Sequence, residues 1–367
     1  MNAPIPDTVI SSVRAQAYTI PTDAPEADGT FAWESTTLVV AEVDAGGETG
    51  IGYTYTDACA ALLIREALAE AVEGCDAFDV RAACLAMQKR VRNIGRAGVA
   101  ATAISALDCA LWDVKAKLLD VPLARLLGAM RESVPIYGSG GFTTYTNARL
   151  KQQLSGWVVD DGCRWVKIKI GSAPERDPKR VHAAREAIGE AGLFVDANGA
   201  FTEKEASHYA NVFKDFGVLW FEEPVSSDDL CGLNAVRSAV RAPMQIAAGE
   251  YGFTLDYFRR MLDARAVDVL QADASRCGGI TGFLNVAALC EAYHVPLSAH
   301  CAPALHLHVA CAAPQLVHQE WFYDHVRIEA MLFDGAPRAD GGAITPDLSR
   351  SGCGLELRRA DAQVYAV

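Results

Sequence analysis

Nine titratable side chains recur along the chain at intervals that suggest a shared site: Lys167, Lys169, Asp196, Glu222, Glu223, Glu250, Asp273, His300 and Glu320. Asp196, Glu222 and Glu250 are separated by 26 and 28 residues (222 − 196 and 250 − 222), about one strand-and-helix unit each. If each closes a parallel strand about 4.8 Å from the next, their carboxylates converge within reach of one ion. Uncompensated, they would repel. All-oxygen ligation selects a hard divalent cation, and Mg2+, which keeps positions open for water or substrate oxygens, is the expected guest. Glu223 has the opposite strand parity to Glu222 and is read as a supporting residue, although the two could exchange roles.

The lysines and the histidine supply the groups that move protons. In the run 165–170, Trp165, Lys167 and Lys169 share one face while Val166, Ile168 and Ile170 share the other. The apolar face must pack on helices, which turns both lysines inward. Two inward ammonium groups repel, so at least one is expected to have a lowered pKa and to act as a base. An edge strand would leave both in solvent, but this run is the second of eight. Asp273 and His300 stand 27 residues apart (300 − 273). A carboxylate on one ring nitrogen fixes the tautomer and raises the basicity of the other, giving a poised acid/base.

Parallel β/α units are what would position such a set. Short apolar runs at 134–137, 165–170, 193–195, 219–221, 244–247, 267–271, 295–299 and 316–319 alternate with helical stretches at 147–159, 178–190, 202–216, 230–240, 255–264, 282–293 and 305–312. Thr202 and Glu205 form a capping box at one helix start. Eight such units suit a (β/α)8 barrel with its last helix reduced, in which catalytic groups come from the C-terminal strand ends. An acid at a strand end is ordinarily a solvated loop residue or a helix N-cap. Here every run from the second to the eighth is followed by a titratable group, which that reading does not explain. Before the barrel, β-rich runs at 9–19, 35–43 and 50–55, with a hairpin turn at 44–47, precede helical stretches at 58–73, 80–93 and 98–119, an α+β unit of its own.

Composition narrows the partners. The 367 residues are 51% hydrophobic, enough for a sizeable core in two domains. Lys and Arg number 33 against 46 Asp and Glu, a formal charge of −13, so no nucleic acid and no anionic membrane is expected as a partner. The eleven Cys include no C-x-x-C pair, which points to reduced thiols rather than a disulfide framework or zinc ribbon. His306 and His308, two apart on a helical stretch, face different sides and read as structural. The segment 1–10 shows no leader pattern, no apolar stretch is long enough to span a bilayer, and a cytoplasmic location is expected. The run 138–143 breaks G-x-G-x-x-G at its last glycine, and neither a phosphate-binding G-x-x-x-x-G-K-[ST] loop nor a G-x-S-x-G elbow is present.

The motifs Lys167-Ile168-Lys169, Val195-Asp196-Ala197-Asn198, Trp220-Phe221-Glu222-Glu223-Pro224 and Ala248-Gly249-Glu250, with the segment 103–128, resemble the mandelate racemase and muconate lactonizing enzymes of the enolase superfamily. The Asp273 and His300 pair is similar to that of the mandelate racemase-like subgroup. The resemblance implies a (β/α)7β-type TIM barrel over 129–344, preceded by an α+β capping domain over 1–128 with a three-stranded antiparallel sheet, the tail 345–367 packing back on it. It implies Mg2+ on Asp196, Glu222 and Glu250, a general base at Lys169 with Lys167 beside it, and a protonated Glu320 meeting a substrate carboxylate oxygen. Asn198, Arg276 and Tyr55 are expected substrate contacts.

The implied first step removes the proton α to a carboxylate to give an enediolate. If His300 then protonates a departing 3-hydroxyl, the activity is dehydration of an acid sugar, an aldonate or aldarate, to a 2-keto-3-deoxy acid. If it reprotonates C2, the protein is a racemase or epimerase of a 2-hydroxy acid. Two capping-domain loops, 21–33 and 53–57, are expected to set specificity, and their many hydroxyl and carboxyl groups favour a polyhydroxy substrate, although Phe31 and Trp33 could equally line an aromatic pocket. By analogy with relatives, a homo-oligomer is expected.

Overall fold

The computed structural model describes residues 8–367; the first seven, part of the segment read as carrying no leader, lie outside the described residues. Three antiparallel strands open the chain: β1 (Ile10–Ala27), β2 (Ala32–Ala45) and β3 (Glu48–Tyr55), in that order in the sheet. The β2 to β3 turn is Gly46-Gly47, within the expected hairpin. Alternation along β2 sends Val39, Ala41 and Val43 into a core shared with the helices Val80–Arg90 and Val99–Leu118, while Leu38 and Val40 join the core continuous with the barrel. The long helix can approach because β3 carries glycine: a Cβ on Gly52 would sit 2.1 Å from the Ala106 carbonyl oxygen.

Eight parallel strands follow: β4 (Val134–Gly140), β5 (Trp165–Lys169), β6 (Gly192–Asp196), β7 (Val218–Glu222), β8 (Gln245–Ala248), β9 (Val269–Ala272), β10 (Leu297–Ala299) and β11 (Leu316–Phe322). They pair in sequence, and β11 closes on β4 to make a TIM barrel. Helices occupy each expected interval, and Thr202 and Glu205 make both bonds of the capping box. Beyond the expected seven, β11 runs directly into a further helix, Tyr323–Leu332. None of the helices among the described residues is long and apolar enough to cross a membrane.

The barrel interior is plugged at its N-terminal end. Tyr137, Phe194, Trp220, Ala247 and Val269 pack with the His318 ring, Phe194 stacking on Trp220 at 5.1 Å. Burial pushes the His318 ring down to about 3, so it stays neutral in this layer. Asp196 and Glu222 close β6 and β7 at the opposite, C-terminal end of the barrel.

Contacts between the two units converge on that end. Asp108 on the helix Val99–Leu118 accepts from Thr281 N (2.9 Å) at the start of the helix Gly279–Tyr293, and Trp112 Nε1 donates to Thr281 Oγ1 (2.9 Å). From β3, Tyr53 OH donates to Glu329 Oε1 (2.6 Å) and Thr54 Oγ1 to the Ser275 carbonyl (2.7 Å). The chain's end returns to β1, with Thr19 N bonded to Tyr365 O (2.8 Å) and Val367 N to Ala17 O (3.1 Å).

Candidate active site

Strand register delivers the first part of the site. Lys169 on β5 lies opposite Asp196 on β6, which lies opposite Glu222 on β7. Lys167 and Lys169 both face inward while Val166, Ile168 and Ile170 enter the outer core, as the pleat requires. Lys167 Nζ lies 2.6 Å from Glu222 Oε1, 2.8 Å from Glu320 Oε1 and 3.7 Å from Asp196 Oδ2, and 5.4 Å from the Tyr137 ring centre. Lys169 Nζ lies 2.5 Å from Asp196 Oδ2.

The expected depression of a lysine pKa is not what this arrangement produces. Burial does work to lower both, but the charges of Glu222 and Glu320 around Lys167, and of Asp196 at Lys169, outweigh it and hold both ammonium groups above the ordinary lysine range. The carboxylates that face the two lysines set the sign of the shift.

Asp196, Glu222 and Glu250 each present an oxygen within 4.8 Å of the others, all three buried. Glu222 Oε2 accepts from Trp220 Nε1 (2.8 Å), whereas Glu250 Oε2 is buried without a hydrogen-bond partner. Burial and the Asp196 charge push Glu222 well above the usual carboxylate range; Asp196 is held below it because Lys169 and Lys167 outweigh its own burial. Glu223, at φ +36° past the end of β7, is almost fully buried, and burial with the Glu250 charge raises it as well. Crowded anionic oxygens, one of them orphaned, form a donor set suited to a hard divalent cation. Asn198, at φ +47°, donates from its backbone to Asp196 Oδ1 (2.8 Å) and leaves its own Oδ1 buried and unpartnered.

On the far side of the carboxylates, His300 Nδ1 meets Asp273 Oδ2 at 2.9 Å, and Asp273 Oδ1 accepts from Ser275 N at 2.7 Å. Burial of Asp273 is outweighed by the His300 hydrogen bond and charge, and its carboxyl is held far below the usual range. The other ring nitrogen, Nε2, lies 3.6 Å from Glu250 Oε2 and 3.6 Å from Glu320 Oε2. Arg276 bridges the two halves, its NH1 donating to the Glu250 carbonyl (3.0 Å) and its Nε 3.5 Å from Asp273 Oδ2. Glu320 differs from expectation in its charge: burial would raise it, but Lys167, then His300 and Lys169, hold it well below the usual range, so it is ionised rather than protonated.

The specificity loops also differ from their reading. The segment 21–33 is mostly strand, because β1 continues to Ala27 and β2 begins at Ala32. Its turn is held by Asp28, which accepts from Thr30 N (2.6 Å) and Phe31 N (2.8 Å). The tip rests on the strand ends beneath it: a Cβ on Gly29 would lie 2.4 Å from the Ala197 carbonyl oxygen and 2.5 Å from that of Ile170. Glu26 is buried against Trp33 Nε1 (2.9 Å) and, through burial and the nearby Asp324, pushed up to about 8. Asp23 engages Tyr323 OH (2.5 Å) and Arg149 (3.2 Å). In 53–57, Tyr53 and Thr54 serve the contact between the two units, and the buried Tyr55 stacks on His325 at 3.5 Å with its OH 3.5 Å from the His325 carbonyl. Many of the polar groups expected to meet hydroxyls are therefore already engaged. Beside them, Trp33, Phe142, Tyr145, Phe322 and Cys301 form an apolar wall.

Two residues escaped the sequence reading. Ser139, at the end of β4, donates to Glu320 Oε1 (2.5 Å); applying the strand-end rule to the first run would have found it. Cys301 Sγ lies 3.3 Å from His300 Nε2 and 3.4 Å from Glu320 Oε2, and its place next to His300 was the available signal.

A barrel whose strand ends bring together lysines, three carboxylates and a His and Asp pair beneath an α+β cap defines the enolase-type architecture. The chain belongs to the mandelate racemase/muconate lactonizing enzyme family of the enolase superfamily: residues 15–128 match the mandelate racemase / muconate lactonizing enzyme N-terminal domain, and residues 149–362 the enolase C-terminal domain-like family. It is 33% identical over 360 residues, 96% of this chain and 98% of the relative, to the 3,6-anhydro-alpha-L-galactonate cycloisomerase of Streptomyces coelicolor. It is 33% identical over 310 residues, 81% and 77% of the two chains, to the L-talarate/galactarate dehydratase of Salmonella typhimurium, whose crystal structure with Mg and L-lyxarohydroxamate superposes with a TM-score of 0.89 at 28% identity, covering 100% of this chain and 95% of that one. A mandelate racemase/muconate lactonizing enzyme-like protein from Rubrobacter xylanophilus superposes with a TM-score of 0.96 at 48% identity, over 98% of this chain and all of that one.

Proposed function

We propose that the protein is a Mg2+-dependent acid-sugar dehydratase, converting an aldonate or aldarate to a 2-keto-3-deoxy acid. The observation that carries the reading is that both proton-moving groups touch one carboxylate triad: Lys169 at Asp196 and His300 at Glu250. Asp196, Glu222 and Glu250 would hold Mg2+, which would supply positive charge at the substrate carboxylate and, by neutralising these ligands, would weaken their hold on the Lys169 proton. Lys169 Nζ removes the proton α to the carboxylate, and the Lys167 ammonium faces the charge that gathers on the carboxylate oxygens. An incoming substrate carboxylate raises the pKa of Glu320, giving it the proton it needs to donate a hydrogen bond. His300, its tautomer set by Asp273, delivers a proton from Nε2 to the departing 3-hydroxyl.

The relatives, an acid-sugar dehydratase and a cycloisomerase among them, support acid-sugar chemistry. The apolar wall of Trp33, Phe142 and Phe322 favours a second reading, a racemase or epimerase of a 2-hydroxy acid with a less polar tail, in which His300 returns the proton to C2. Incubation with aldonates and aldarates in Mg2+ decides between them. A 2-keto-3-deoxy product supports dehydration; exchange or inversion at C2 without a keto acid replaces it with the second reading.

A further inference from the structure

His300, Cys301 and Glu320 carry an arrangement that proton transfer alone does not require. Consecutive residues at a strand end normally point to opposite sides. Here Cys301 adopts φ +48° and Ala302 φ +39°, conformations that side chains with a Cβ adopt rarely. The consequence is that Cys301 Sγ and His300 Nε2 face the same hollow. Held strain of this kind marks functional positions.

The resulting triangle has a metric. His300 Nε2 to Cys301 Sγ is 3.3 Å, Cys301 Sγ to Glu320 Oε2 is 3.4 Å, and Glu320 Oε2 to His300 Nε2 is 3.6 Å. With Zn–S of about 2.3 Å and Zn–N and Zn–O of about 2.0–2.1 Å, one face of a tetrahedral zinc site has edges of about 3.4–3.6 Å. All three residues are buried. Glu250 Oε2 lies 3.6 Å from His300 Nε2 but belongs to the all-oxygen triad, so the fourth position of the zinc falls to water. The remaining ring nitrogen is bonded to Asp273, the carboxylate–histidine pairing that orients a metal-bound imidazole.

We propose that His300, Cys301 and Glu320 form a second metal site, for a borderline-soft divalent ion of the Zn2+ class, and that filling it silences the enzyme. A thiolate among the donors selects Zn2+ over Mg2+, so the site is chemically distinct from the all-oxygen triad. On binding, the Cys301 S–H bond gives way to an S–Zn bond and the proton leaves to solvent. The ion occupies the His300 lone pair, which removes the acid/base group from turnover. The binding claim does not depend on which reaction the enzyme performs.

The test uses the full chain, saturated with Mg2+, in a background where the exposed Cys59, Cys75 and Cys231 are serine. Equilibrium dialysis against Zn2+ should leave one equivalent per chain, and X-ray absorption at the zinc edge should show a single sulfur at about 2.3 Å among lighter donors. Cys301→Ser should lose that equivalent, and turnover should fall in proportion to occupancy. A zinc shell of oxygen and nitrogen only, release of zinc by Mg2+, or equal retention by Cys301→Ser would overturn the site. Full turnover at full occupancy would overturn the inhibition. Because the absorption spectrum is read on unmutated Cys301, a variant that fails to fold does not blunt the test.

Discussion

Replacing Asp273 by Asn isolates the contribution of one hydrogen bond to one half of the chemistry. In the native site Oδ1 accepts from Ser275 N at 2.7 Å and Oδ2 from His300 Nδ1 at 2.9 Å, both in buried surroundings. Asn can keep the Ser275 bond only by placing its carbonyl oxygen there, which turns its NH2 toward the ring. That group donates to Nδ1, so the proton is fixed on Nε2 and the imidazolium loses the carboxylate that stabilised it. A charge-assisted bond of this kind contributes about 1.5–3 kcal/mol, equivalent to about 10- to 200-fold in rate. The assay follows a substrate whose C2 proton faces Lys169, measuring keto-acid release and C2 exchange in deuterated water separately. Keto-acid release should fall by that factor while exchange stays near the native rate. Equal losses in both, or no loss in either, would refute the assignment of His300 to the second proton.

Other perturbations bear on neighbouring groups. Lys167→Met leaves Glu222, Glu320 and Asp196 without their shared cation, and should lower stability in metal-free buffer by about 3–5 kcal/mol, with part of the loss recovered in Mg2+, as read from urea midpoints. Glu329 is pushed from 4.5 up to about 8 by burial, so the folded state holds a proton that the unfolded chain releases; its contribution is complete below about 4.5 and is lost as pH rises through about 8. Glu329→Gln should therefore flatten the decline in stability across that window, removing up to about 1.4 kcal/mol per pH unit. Gly29→Ala drives a Cβ into the Ala197 and Ile170 carbonyls and should lift the hairpin from the strand ends that carry Asp196 and Lys169. Overpacking of this size costs about 1–3 kcal/mol, and it should appear as a lower kcat/KM with little change in the Mg2+ affinity.

How much was legible beforehand follows from what sets each feature. The barrel strands could be read because burial on both faces leaves continuous apolar runs, and the inward direction of Lys167 and Lys169 followed from the pleat alone. The convergence of Asp196, Glu222 and Glu250 followed from one acid per unit at the same end of adjacent strands. What failed depends on contacts distant in sequence. The lysine and Glu320 charge states are set by mutual pairing across four strands, so neither can be judged from its own segment. The extension of β1 and β2 past Pro21 comes from cross-strand pairing that resumes at Glu26 opposite Trp33 after a register shift, and turn residues such as Asp28, Gly29 and Thr30 masked it as a loop. Cys301 had only its place next to His300 to mark it, because its position rests on a left-handed backbone conformation that an alternating strand pattern does not anticipate.

The central claim is that one metal-dependent site removes a proton from C2 with the Lys169 amine and delivers the second proton from the His300 imidazole. Proton NMR of C2 exchange in deuterated water, on acid sugars of both C2 configurations, measures it directly. Exchange should require Mg2+ and be abolished by Lys169→Ala, whereas His300→Asn should keep exchange and lose keto-acid release. Exchange that proceeds without a divalent ion, or that survives Lys169→Ala, would contradict the account.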